Sequence, residues 1–158
     1  MSIENWIDQI CKVWGTVVNG QGGHVRSYLV YEKEEFPEAI TVYPCAITYT
    51  TNVVDQYSVG GPLIDYWKGV TEFHLFPSAD KRNFPAIMLY FSRIRNAAAA
   101  NMQLGGRVAS FQLRQGDEPS IEGPVVLRYG GEDPHHGLIV HWICKQNVSG
   151  ETGYIPAA

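Results

Sequence analysis

Apolar residues recur at steps of three and four near the N-terminus: Ile3, Trp6, Ile7, Ile10, Val13 and Trp14. That spacing lines one face of an α-helix from about Ser2, a good N-cap, to Trp14, with Gly15 closing it. A second stripe, Phe84, Ile87, Met88, Phe91, Ile94, Ala98 and Met102, predicts a longer helix. It starts after an Asn83 cap, tolerates Pro85 in its first turn and ends at Gly105-Gly106. Elsewhere the period is two. "GVTEFHLF" (Gly69 to Phe76) sets Val70, Glu72, His74 and Phe76 against Thr71, Phe73 and Leu75, a strand that Pro77 ends. Val25 to Glu32, Val108 to Arg114, Val125 to Tyr129 and Leu138 to Lys145 are further strands, the last two forming a hairpin across "GGEDPHHG".

Two segments are less regular. Phe36 to Thr50, "FPEAITVYPCAITYT", is rich in strand formers but carries Pro44 at its centre, which suits an edge strand or a bulge. Ile40 and Val42 fall on one alternation face, and Tyr43, Cys45 and Ile47 on the other. Asn52 to Trp67 holds the turn signal Gly60-Gly61-Pro62 between apolar arms and is either a projecting hairpin or an ordered loop. The order of elements predicts an α+β fold: a mostly antiparallel sheet, two helices packed on one face, and a long projecting loop or hairpin. Residues 1–146 make a single α+β domain, and 147–158 an extended C-terminal tail.

Composition adds little chemistry. Of 158 residues, 45% are hydrophobic and only 18% charged, so uncharged surface is available for partners. The net charge of −4 gives no general attraction to nucleic acid or membranes. Glu4 and Asp8 sit where a signal peptide would be basic, and no apolar run approaches the roughly 18 residues of a membrane span. Three cysteines, none in a CxxC pair, read as small apolar residues.

No catalytic or cofactor motif assembles. "GQGG" (Gly20 to Gly23) follows a helix and leads to a strand, the reverse of a phosphate loop. Neither G-x-S-x-G nor H-E-x-x-H occurs. His141 and Cys144, three apart on a strand, face opposite sides. His135 and His136 read as part of a polar turn, and His74 as a packed side chain. No enzyme activity, metal or cofactor is expected.

Charge is unevenly placed. Lys81 to Gly116 contains six basic residues and no acid, whereas Glu32, Glu34, Glu35 and Glu38 crowd together. Such a split is that of an ordinary solvated surface, of head-to-tail assembly of identical subunits, or of a basic segment that touches phosphate.

Three fragments resemble the tail-terminator proteins of long-tailed bacteriophages, the lambda-like minor tail proteins that cap the tail tube. They are "EEFPEAITVYPCAITYT" behind an N-terminal helix, "GVTEFHLFPSADKRNFPAIMLYFSRIRNAAA", and "GPVVLRYGGEDPHHGLIVHWICK". The likeness covers roughly residues 2–146; the length of the Asn52 to Trp67 segment and the C-terminal tail depart from it. It implies a hexameric ring in the virion neck that ends tube polymerisation, joins the tail tube protein to a head–tail connector or stopper, and lets DNA pass without sequence-specific binding. The alternatives are a connector or stopper itself, or a small-molecule-binding or enzymatic α+β domain with its pocket under the long loop. For the ring, the candidate contact residues are Tyr57, Leu63, Ile64, Tyr66 and Trp67 in the long segment, with Glu34 and Glu35 meeting Arg93 or Arg95 of a neighbour.

Overall fold

A computed structural model describes residues 3–18, 23–29, 40, 43–57, 63–113, 120–128 and 134–148. Helix α1 spans Ile3–Gly15 and α2 spans Phe84–Ala99, the latter preceded by a 3-10 turn at Lys81–Asn83. The strands are β1 (Arg26–Leu29), β2 (Cys45–Tyr57), β3 (Leu63–Phe76), β4 (Ser110–Leu113), β5 (Ile121–Leu127) and β6 (His135–Val148). Among the described residues the sheet order is β1-β2-β3-β6-β4, and β5 pairs with the first half of β6. Every pairing is antiparallel except β1 with β2. The fold class is therefore the α+β one read from the sequence. Among the described residues no helix is long and apolar enough to cross a membrane.

Both helices lie on one face of the sheet. Their apolar stripes (Trp6, Ile10, Trp14; Ile87, Ile94, Ala98) share a single core with Ala46, Phe73, Val140 and Trp142. Edge-to-face aromatic pairs tie α1 to the strands: Trp6 to Trp142 at 6.2 Å and Trp14 to Phe73 at 5.6 Å between centroids. Period two then puts Cys45 and Ile47 on the opposite face, where they pack with Ile40, Tyr43 and Tyr49 in a small second cluster.

Several expectations need correction. Pro44 does not interrupt a strand; β2 begins just after it, at Cys45, and the Tyr43–Pro44 bond is cis. Alternation is consequently not continuous from Ile40 to Ile47, and Ile40 joins Cys45 and Ile47 instead of opposing them. The start of β2 is not an edge, because β1 pairs with Cys45 to Thr48 and β3 with the whole strand. In α2, Met88 and Met102 are half exposed while Tyr90 is buried. The helix ends at Ala99, and a turn with Leu104, Gly105 and Gly106 at positive φ replaces the last predicted stretch, so Met102 leaves the stripe. Asn83 makes no capping bond; its Nδ2 donates to the Ser78 carbonyl, and Asp80 caps the preceding turn by accepting from the Arg82 amide. Finally, His135 and His136 are not in a turn. They open β6 and are buried.

Candidate functional site

The segment from Asn52 to Trp67 is resolved in favour of a hairpin. Tyr57 pairs with Leu63, Gln56 with Ile64, Val54 with Tyr66 and Val53 with Trp67. β6 runs along the other side of β3, from Phe76↔His136 to Leu63↔Val148. The outer edge of β2 is different. β1 pairs with it as far as Thr48, and from Tyr49 to Tyr57 no strand among the described residues lies beside it. That stretch of nine residues, at 3.3 Å each, is roughly 30 Å long. Thr51, Asn52 and Val53 are exposed there, and Asp55 is the one charged residue in the stretch. Nothing in this composition resists strand addition, which natural edges ordinarily discourage with lysine, proline or short length.

The candidate contact residues do not form one patch. Ile64, Tyr66 and Trp67 are half-buried, and alternation sends Tyr66 to the face opposite Trp67. Trp67 packs edge-on against Trp6 of α1, with centroids 5.6 Å apart, so it belongs to the chain's own packing. For Tyr57 and Leu63 the description extends to their backbone pairing. Glu34 and Glu35 lie outside the described residues.

Arg93 and Arg95 are two apart on α2 and face different flanks. Arg93 donates to the Val18 carbonyl at 3.0 Å and lies over the Tyr90 ring at 5.3 Å. Arg95 stacks over Phe91 at 5.6 Å. Neither makes an ion pair among the described residues; Arg95 is exposed and Arg93 partly so.

Beside the turn after α2 lies an open groove of about 690 Å³, lined by Ala99, Ala100, Met102, Gly105 and Gly106 among others. Its walls are small side chains, amides and backbone, with no ionisable group. Arg95 borders a second groove of about 290 Å³ between α2 and β4.

The ionisable groups cluster on the sheet face away from the helices. His74 and His135 are fully buried with their Nδ1 atoms 3.0 Å apart. Burial, reinforced by His135, pushes His74 down to about 3. One ladder step along, Glu72 is raised by burial, and Tyr49 is raised by burial and by the Glu72 charge. Farther along, His141 Nε2 lies 2.9 Å from Glu122. Cys144 faces the helix side, where burial lifts its thiol to about 12. His141 and Cys144 are thus on opposite faces, as their spacing predicts. Among the described residues no group of three His, Cys, Asp or Glu is placed to hold a metal.

Sequence reasoning missed the His74–His135 pair because it ended the β6 alternation at Leu138. The signal was present. His136, Leu138, Val140, Trp142 and Cys144 keep strict period two, which extends the strand upstream and turns His135 to the His74 face. No protein-family model matches the chain, and no curated protein sequence matches it.

Proposed function

We propose that this chain is a structural protein of a long-tailed phage virion, a tail-terminator-like subunit. It assembles into a ring, a hexamer by the resemblance, that caps the tail tube, ends its polymerisation and meets the head connector. Its work is binding rather than catalysis. The single observation that carries this reading is the β2 edge from Tyr49 to Tyr57, beside which no strand lies among the described residues and in which Asp55 is the one charged residue. Such an edge gains backbone hydrogen bonds when another strand is laid beside it. Arg93 or Arg95 of α2 supplies a second contact of defined sign, which sets orientation more than affinity. A heterologous interface of this kind closes into a ring if the rotation per subunit allows it.

Deletion of Val59 to Ile64 tests the reading. The shortened hairpin keeps the Val53↔Trp67 and Val54↔Tyr66 pairs, so the variant folds with unchanged far-ultraviolet circular dichroism. It no longer associates with the tail tube protein of the same genome in sedimentation or electron microscopy, whereas the wild type adds to tube ends. A folded wild-type chain that stays monomeric beside the assembled tube, or a deletion that assembles normally, overturns the proposal.

A further inference from the structure

Helix α2 turns an unusual face outward. Arg93 and Arg95 are its only charged residues, whereas α1 presents the Asp8–Lys12 ion pair to solvent. Met88, Arg95 and Ala99 share one exposed stripe at steps of seven and four, and Met102 continues beside it. Met88 and Met102 are half exposed, and Arg95 stacks over Phe91. Exposed methionine and arginine, with no acid or lysine among them, is the composition of a protein interface rather than of a solvated face.

The stripe borders two grooves that meet. The one beside the turn after α2 and the one between α2 and β4 share Ala99 and Met102. Together they run from Arg95 and Leu113 to Gly105 and Gly106. No acidic side chain lines either groove, and Arg107 stands exposed beside the glycine end. Such a depression suits an extended acidic segment that also carries an apolar side chain. The densest run of acid in the chain is of that kind: Glu32 to Glu38, "EKEEFPE", holds four acids, one lysine, Phe36 and Pro37.

Within one molecule the two are on opposite sides. β1 is one edge of the sheet and β4 the other, and four strand spacings of about 4.8 Å put roughly 19 Å between them. The segment leaves from Leu29 at the end of β1 and returns at Ile40, which packs on the sheet face away from the helices. Ten residues anchored at both ends extend roughly 17 Å at about 3.4 Å per residue, short of the β4 side. Two α2 faces laid together would set Arg95 against its own like charge.

We propose that the groove between α2 and β4 seats the Glu32–Glu38 segment of a second copy of this chain, with Glu34 or Glu35 on Arg95 and Phe36 against Ala99 and Met102. The contact rests on the reading of the chain as a self-assembling subunit, and it selects Arg95 over Arg93, which is tied back to the Val18 carbonyl. Two unlike surfaces meet, so the contact repeats head to tail, as a ring requires.

The experiment mixes unlabelled and heavy-nitrogen-labelled full-length chain carrying Arg95→Lys, which keeps the charge and supplies an amine. A carbodiimide joins amine to carboxylate only where they touch, and mass spectrometry identifies the linked peptides, with the chain alone and beside the assembled tail tube. Position 95 links to Glu34 or Glu35 in mixed-label pairs. Linkage within one label only, linkage to Asp117 or Glu118 instead, or no linkage in either condition overturns the proposal. In sedimentation, Arg95→Glu (or Arg95→Gln, should the reversal not fold) and the double change Glu34→Arg/Glu35→Arg each weaken self-association about tenfold, and combining both reversals in one chain restores it. Self-association that Arg95→Glu leaves unchanged overturns this contact without touching the tube-capping reading. That reading fails separately, if the linked chains form but do not add to tube ends.

Discussion

Gly69→Ala tests how the central strand carries the core. Gly69 on β3 lies directly opposite Trp142 on β6. The Trp142 indole covers the glycine, and a Cβ there would fall within 2.6 Å of ring atom Cε2. Backbone cannot yield on a strand paired along both sides, so the ring must move. It is fully buried, donates Nε1–H to Thr71 Oγ1 at 3.2 Å, and packs on Trp6 and on Phe111 at 6.0 Å. Overpacking costs about 1–3 kcal/mol. The lost hydrogen bond costs about 1 kcal/mol, and each disturbed aromatic pair about 0.5–1.5 kcal/mol. Alanine returns about 0.5–1 kcal/mol by restricting the unfolded chain. The net expectation is a loss of about 2–4 kcal/mol, read as a lower urea midpoint at unchanged slope, with tryptophan fluorescence as the signal. Gly106→Ala is the matched control: it meets open space but sits at φ +83°, and loses only about 1 kcal/mol. A Gly69→Ala protein within 0.5 kcal/mol of wild type, by the same order-of-magnitude reasoning, would show that the Trp142 ring is not fixed where its contacts put it.

Two further expectations rest on the corrected burial. Ile94→Ala, at a fully buried site, loses about 2–4 kcal/mol, whereas Met88→Ala, half exposed, loses less than about 0.5 kcal/mol; urea titration of both decides whether the helix stripe is centred on Ile87, Tyr90 and Ile94. Stability also depends on acid. Folding lowers the His74 pKa from 6.5 to about 3, so the folded state binds fewer protons than the unfolded one; its contribution is intact above pH 6.5 and is lost as pH falls toward 3. Between pH 7 and pH 4.5 that is about 2.5 kcal/mol, measured as the difference in urea-unfolding free energy that His74→Phe removes.

Much of the fold was legible because its strongest signals are local. The α1 stripe buries one face against the main core, and the Gly69 to Phe76 alternation puts Phe73 and Leu75 into that core while turning Val70 and His74, also buried, to the other face; periodicity reports both directly. Boundaries failed where two signals overlapped. Met102 fits a helical stripe, but Leu104 is fully buried at positive φ, and the chain needs a turn to place it there. The β2 segment misled for a related reason: alternation was carried across Pro44, although the ladder starts after it. Pairing was legible between neighbours in sequence, since the strands predicted as a hairpin, β5 and β6, do pair antiparallel, but not between strands farther apart. That β1 lies parallel beside Cys45 to Thr48, and that β6 runs along β3, depends on which strands meet, and no local pattern encodes that.

The histidines show why candidate chemistry is harder to read than fold. In sequence, His74 and His135 are 61 residues apart, and the second sits in a string of turn formers. What makes them a unit is register: Cys45↔His74 on one side, and β6 arriving on the other with Gly137 opposite His74. Gly137 is required at that crossing, because a Cβ would press into the Phe73 carbonyl. The close approach that glycine permits brings the start of β6 against β3, and His135, two residues earlier on the same face, arrives beside His74. The pair is a consequence of sheet packing, and its acid sensitivity follows from burial rather than from any motif.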